Sequence, residues 1–444
     1  MDSTNTGKVA DGEAELERET LRRVAWRLIP LLMAGYFAAY LDRVNVGFAA
    51  LNMNKALGLT AEVFGIGGGI FFFGYFLAEI PSNLILERVG ARRWIARILV
   101  TWGLISAATA FVQGAWSFFA IRFLLGLAEA GFYPGIILFL TWWFPSAYRS
   151  RMIGIFMTAI PISIVSGSII SGQILTLGPR LGLADWQWLF ILEAAPAVIV
   201  GLITYFCLTD SPADAKWLRP DQRDWLMRRL AAERTHKESI RRYELKEALV
   251  NPRVWLLTLV YFGQNVTGYG LVLFLPQIVQ RFGVGPGLNG LISALPFAAG
   301  GVAMVLWGLH SDRTGERPLH AAAACFLNFA GLAVCVLLHD PILMMVAIIL
   351  GQMGQAAIAP TFWTLPTAML SGTAAAGGIA LINAVGNLGG FLGPFMMGSI
   401  KDATGSFTLG LLSIAMGALV SAIVLVALGH DRRLERHGAA LSSR

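Results

Sequence analysis

Asn83-Leu84-Ile85-Leu86-Glu87-Arg88-Val89-Gly90-Ala91-Arg92 and Gly308-Leu309-His310-Ser311-Asp312-Arg313-Thr314-Gly315-Glu316-Arg317 are two versions of one loop, 225 residues apart. Both carry an acid-Arg-x-Gly-x-Arg core, and each follows a long apolar run. The residue types suit a tight turn between two helices at a charged surface. Glycine permits the turn, arginines suit an anionic lipid surface, and the acid can pair with a neighbouring helix end. A weaker echo joins Gly154-Ile155 to Gly378-Ile379. The chain therefore reads as two copies of one unit.

Each unit holds six apolar runs. They lie near 28–50, 63–85, 95–113, 116–140, 152–176 and 186–208, then 253–280, 288–309, 320–338, 341–367, 376–399 and 407–429. A helix of about 20 apolar residues is long enough to cross a bilayer. The expected fold is an all-α integral membrane protein of twelve transmembrane helices in two pseudo-symmetric six-helix bundles, residues 28–208 and 253–429. A polar segment, 209–252, divides them and reads as a linker with one or two surface helices. Residues 1–27 and 430–444 read as cytoplasmic tails. The first of these lacks the apolar core and cleavage site of a removable leader. A two-copy chain of this kind is the pattern of an alternating-access carrier with its site between the halves.

Composition agrees. Only 14% of the 444 residues are charged and 56% are hydrophobic, with a mean hydropathy of +0.64; soluble proteins carry about 25% charged residues. The net charge of +7 could suggest a nucleic-acid partner, but its placement argues otherwise. With the N-terminus cytoplasmic, the inner segments hold 28 of the 34 Lys and Arg residues and the outer loops hold four. That is the positive-inside asymmetry, and it puts both termini in the cytoplasm. The three cysteines, Cys207, Cys325 and Cys335, fall in apolar runs and imply no disulfide framework. None of the six histidines has metal-ligand spacing. No metal or cofactor is expected, and no nucleophile-base constellation points to an enzyme.

The two remaining basic residues lie inside spans: Arg43, beside Asp42 in span one, and Arg122 in span four, with Glu129 two turns further on. A charge at the centre of a span costs at least ~2.5–3.5 kcal/mol, so such residues face a watery path or a partner. The bland alternative is a structural ion pair between helices. Seven residues put Arg122 and Glu129 on one helix face, about 10 Å apart along the axis. Asp42 and Arg43 fall at similar depth. Two arginines against two acids leave an empty site near neutral. An arriving carboxylate unbalances it unless an acid takes a proton. The guanidinium suits a carboxylate because it offers two parallel donors. Arg43 and Arg122 are therefore candidate anion ligands, and Asp42 and Glu129 candidate proton carriers.

Tyr40 and Tyr75 either offer hydroxyls to a substrate or pack with one satisfied hydrogen bond. Gln264 and Asn265 in span seven can read hydroxyl or carboxylate groups. Glu79, beside Pro81, and Glu193 read as structural acids. The Gly67-Gly68-Gly69 run has no strand before it and no Lys after it, so it is a packing feature rather than a phosphate loop.

The loop after spans two and eight resembles the signature of the major facilitator superfamily. Its second copy is the nearer match. The first departs from the pattern at Asn83, Glu87 and Ala91. Leu41-Asp42-Arg43-Val44-Asn45, the stretch from Arg122 to Gly135, and the stretch from Asn383 to Pro394 are similar to the anion:cation symporter family within it. That family includes bacterial carriers of tartrate, galactonate and phthalate and animal vesicular glutamate carriers. The resemblance implies proton-coupled uptake of a small organic carboxylate at a bacterial inner membrane, by a monomer. It also implies that Trp363 and Asn383 line the substrate site and that Glu129 carries a proton. Uniport, exchange and sodium coupling, with oxygens from Asp42 and Asn45, stay open, as does a sensor built on a carrier fold. Glu87, Arg88, Arg92, Asp312, Arg313 and Arg317 lie at the cytoplasmic ends, too far from Arg43 to touch a bound anion. They are expected to gate, through ion pairs that exist only while the inner side is closed.

Overall fold

Twelve apolar helical spans organise the described residues. The computed structural model describes residues 3–238, 250–369 and 372–428. Eleven of the helices are long and apolar enough to cross a membrane, and Pro318–Val334 adds a shorter twelfth. No strand is formed among the described residues, beyond one isolated bridge between Arg180 and Leu183. The C-terminal tail, 430–444, and residues 239–249 of the linker lie outside the described residues. Outer and inner below follow the charge asymmetry.

Local chemistry sets the helix ends. Spans seven to ten open on Pro252, Pro286, Pro318 and Pro341. Proline suits that position because its missing N–H would have no intrahelical partner. Asp340 caps span ten by accepting from Ile342 and Leu343 N–H, both at 2.9 Å. The repeated loops end spans two and eight as their glycines suggest: Gly90 has φ 94° and Gly315 φ 74°. An L side chain at either position would be strained.

Two expectations need correcting. The first helix runs unbroken over Ser3–Leu57, so the polar start of the chain is no loose tail. Leu21 and Val24 are buried in the core of the N-terminal half, and Glu19 pairs with Arg219 of the linker at 3.0 Å. The linker carries a helix, Pro220–Glu238, and packs against the N-terminal half: Trp217 stacks on Trp143 at 5.6 Å, and Leu226 is fully buried. Span nine, expected over 320–338, is a helix only over Pro318–Val334; residues 335–337 turn instead.

Several spans are broken. Span four is Ala115–Glu129 and then Phe132–Trp143, with Gly131 left-handed at φ 84° between them. Pro134 has no N–H to return to Ala130, which ends the ladder there. Span five breaks between Met157 and Ala159, span ten at Trp363, and span eleven at Leu388. Non-helical backbone at membrane depth is tolerated where protein surrounds it.

The two halves meet closely at their outer ends. A Cβ on Gly65 would lie 2.3 Å from the Pro394 carbonyl oxygen, and one on Gly290 2.4 Å from that of Ser168. Asp402 of span eleven caps the outer start of span two, accepting from Ala61 and Glu62 N–H at 3.1 and 2.7 Å. At the inner end of span five a Cβ on Gly154 would meet nothing within 4 Å. The structure is sealed on the outer side, between spans two and eleven and between five and eight.

Candidate functional site

Arg43 leaves span one toward the other half of the molecule. Its Nη2 lies 2.5 Å from Glu129 Oε1, and its Nη1 donates to the Tyr269 hydroxyl of span seven at 2.8 Å. Its guanidinium also sits over the Tyr40 ring at 4.9 Å and the Phe71 ring at 5.5 Å. The side chain keeps 14% of its surface exposed, against 2% for Glu129. Glu129 stands at the last helical position before the break in span four, so Gly131 and Pro134 decide where the acid ends up.

Arg122 approaches the same place from two turns outward. It shares the Phe71 ring with Arg43, its guanidinium carbon 5.2 Å from the centroid, and donates to the Gly68 carbonyl at 3.3 Å. Both guanidiniums therefore lie against one aromatic ring, a stabilising arrangement for cations that lack water. Span four can lie this near span two because of Gly126, where a Cβ would fall 2.0 Å from the Phe71 carbonyl. Spare capacity remains: Nε of both arginines and Oε2 of Glu129 are buried with no hydrogen-bond partner among the described residues.

Asp42 makes no direct contact with this cluster, though it lies within electrostatic reach of Glu129 and Arg122. Adjacent helical residues point about 100° apart. Arg43 turned toward span seven puts Asp42 inside the N-terminal half, where it accepts from Trp102 Nε1, from Ser106 at 2.7 Å and from Asn45 at 3.2 Å. It has no ion pair with Arg43. Glu129, two turns from Arg122 on one helix, pairs with Arg43 instead. Glu193 accepts from Ser171 at 2.7 Å, also within the N-terminal half.

The remaining candidates divide. Tyr75 is buried within electrostatic reach of Arg43, Glu129 and Tyr269. Asn383 donates to Glu79 Oε1 across the two halves at 3.0 Å. Trp363 packs edge-on to Tyr261 at 5.0 Å. Gln264 points away from the other half, donating to Cys325 Sγ at 3.2 Å, and Asn265 donates to the Gly386 carbonyl at 3.0 Å. At the inner ends, Arg317 pairs with Asp312 at 2.5 Å inside the C-terminal half, and Arg92 pairs with Asp210 of the linker at 3.9 Å. Glu87, Arg88 and Arg313 are exposed. Among the described residues no ion pair of this set crosses between the halves.

Sequence reading missed Tyr269 and Phe71. Tyr269 lies between Gly268 and Gly270, a hydroxyl framed by small residues, and that was a usable signal. Phe71 sits in a run of three phenylalanines, and nothing local distinguishes it. Among the described residues no group of three or more His, Cys, Asp or Glu could hold a metal ion.

Residues 32–394 match the family model described as Major Facilitator Superfamily. The chain belongs to the Major Facilitator Superfamily. It is a membrane carrier rather than an enzyme. A protein named "Putative tartrate transporter" from Agrobacterium vitis is 51% identical over 87% of this chain and 89% of its own length. A quinolone resistance transporter of Acinetobacter baumannii is 39% identical over 86% of this chain and 89% of its own. The xylose transporter of Escherichia coli, solved in a partially occluded inward-open conformation, superposes with a TM-score of 0.72 at 13% identity. That match covers 93% of this chain and 99% of the other, and it shows the shared fold alone.

Proposed function

We propose that this carrier takes up a small organic carboxylate together with a proton, by alternating access between its two halves. The observation that carries the reading is the buried Arg43–Glu129 pair at 2.5 Å, set between the halves with Tyr269 of the opposite half as its third member. An arriving carboxylate competes with Glu129 for the same guanidinium. Protonating Glu129 weakens its hold, frees the fork for a bidentate substrate contact, and offsets the charge of the one carboxylate that replaces it. Anion and proton then cross together. The 51% identical relative named for tartrate favours a hydroxy-dicarboxylate over a sugar acid or an aromatic carboxylate.

In this reading Arg43 and Arg122 hold the carboxylate, and Tyr40, Tyr75, Trp363 and Asn383 shape the rest of the site. Gln264 and Asn265 act through the packing of span seven. Asp42, held by three donors next to Arg43, is the second acid of the proton path. The membrane is a bacterial inner membrane with both termini cytoplasmic, and the carrier works as a monomer.

Uptake of radiolabelled tartrate into proteoliposomes tests this. An inward pH gradient should drive accumulation without sodium, and an uncoupler should abolish it. Accumulation that requires a sodium gradient, or simple equilibration under either gradient, rules out proton symport. No saturable uptake of any carboxylate removes the substrate class.

A further inference from the structure

Glu79 sits on span two, one helical turn inward of Tyr75, and is 8% exposed. Its Oε1 is taken by Asn383 Nδ2 of the opposite half. Its Oε2 is buried and has no hydrogen-bond partner among the described residues. No ion pair joins it to a basic side chain there. Tyr75 lies within electrostatic reach of both Glu79 and Arg43, so this carboxylate belongs to the same inter-half face as the arginine pair. An unpaired buried acceptor is costly and persists when something else supplies the donor.

The donor inventory narrows what that is. Arg43 and Arg122 offer only N–H groups, which suit a carboxylate and cannot accept from a hydroxyl. An ionised Glu79 only accepts. A carboxylate substrate without hydroxyls has nothing to give it, whereas a hydroxylated one does. We propose that Glu79 is the hydroxyl-recognising group of this carrier: its Oε2 accepts a hydrogen bond from a hydroxyl of the carried anion, which selects hydroxylated carboxylates over deoxy counterparts of equal charge. Asn383 holds the other oxygen, orients the carboxylate, and makes the contact depend on both halves being closed around the anion. The proposal rests on the organic-carboxylate reading and adds the substrate feature that reading leaves open.

Tartrate and succinate are the probes, since they share four carbons and two carboxylates and differ only in hydroxyls. Full-length wild type in proteoliposomes should favour tartrate in kcat/KM by at least about tenfold, the scale of one hydrogen bond to a charged acceptor. Glu79→Gln removes the charge, and with its one oxygen held by Asn383 Nδ2 it turns an N–H donor toward the substrate, so it should lose most of that preference. Glu79→Met keeps the reach of the side chain without an acceptor and should bring the ratio close to one through the tartrate KM. Glu79→Ala supplies the same reading should the Met variant fail to insert. A preference that survives in Glu79→Met or Glu79→Ala, or a wild type that moves both anions equally well, overturns the assignment while leaving carboxylate transport intact. A wild type that moves neither anion also overturns the assignment, and one that moves no carboxylate at all overturns the underlying reading as well.

Discussion

Arg43 of the N-terminal half and Tyr269 of the C-terminal half are joined by a 2.8 Å hydrogen bond at the centre of the molecule. The arginine that pairs with Glu129 is thus also the residue that touches the other half. Any change in the spacing of the halves alters the surroundings of the Arg43–Glu129 pair. Removing the contact with Tyr269→Phe should weaken substrate binding by about two- to tenfold, the net worth of one hydrogen bond of about 0.5–1.5 kcal/mol. Equilibrium binding to the purified protein measures it, and unchanged affinity would show that the bond is incidental.

Arg43→Lys and Arg122→Lys keep the charge and lose the planar fork. Each should raise the substrate KM at least about tenfold, because an ammonium cannot make two parallel bonds to a carboxylate. The Arg43 variant should suffer more, since Arg43 also serves Tyr269. Wild-type KM in both variants would remove the anion-binding role.

Glu129→Gln imitates the protonated acid. It should sustain exchange of labelled for unlabelled substrate while losing accumulation driven by a pH gradient. Counterflow and uphill uptake on the same vesicles separate the two. If the Gln variant still concentrates substrate, the coupling proton travels elsewhere, and Asp42→Asn becomes the next variant to test.

The outer seal depends on glycine. Gly65→Val places branched carbon where the Pro394 carbonyl already lies 2.3 Å from an added Cβ. Closure of spans two and eleven should fail, leaving the carrier open outward and stalled. Thiol labelling of a cysteine placed at Ala61 should rise in that variant while transport falls sharply; unchanged labelling would place the seal elsewhere.

Asp312 pairs with Arg317 at 2.5 Å in the outward-sealed form, both partly exposed. Repacking of these inner ends when the inner side closes would bias the two states by about 1–3 kcal/mol. Asp312→Asn should cut turnover strongly and leave binding in detergent within about threefold, within the spread expected of such a coupling. Parallel loss of both in a folded, inserted protein would end the gating role.

Much of this was legible in the chain alone. Run lengths near 20 residues, the Lys and Arg asymmetry, and the twin loops at Gly90 and Gly315 determine a two-copy helical membrane protein, because bilayer thickness and backbone sterics act on local sequence. Arg43, Arg122 and Glu129 stood out for the same reason: charges in apolar runs are expensive wherever they end up. Which of them meet was decided by tertiary structure. Helical phase turned Asp42 inward and Arg43 across the interface; a broken span four carried Glu129 to Arg43 rather than Arg122. Phe71, Tyr269 and the Glu79–Asn383 bridge come from residues up to 304 positions apart. Their pairing depends on which helix faces the two halves press together, and no local pattern of residues records that.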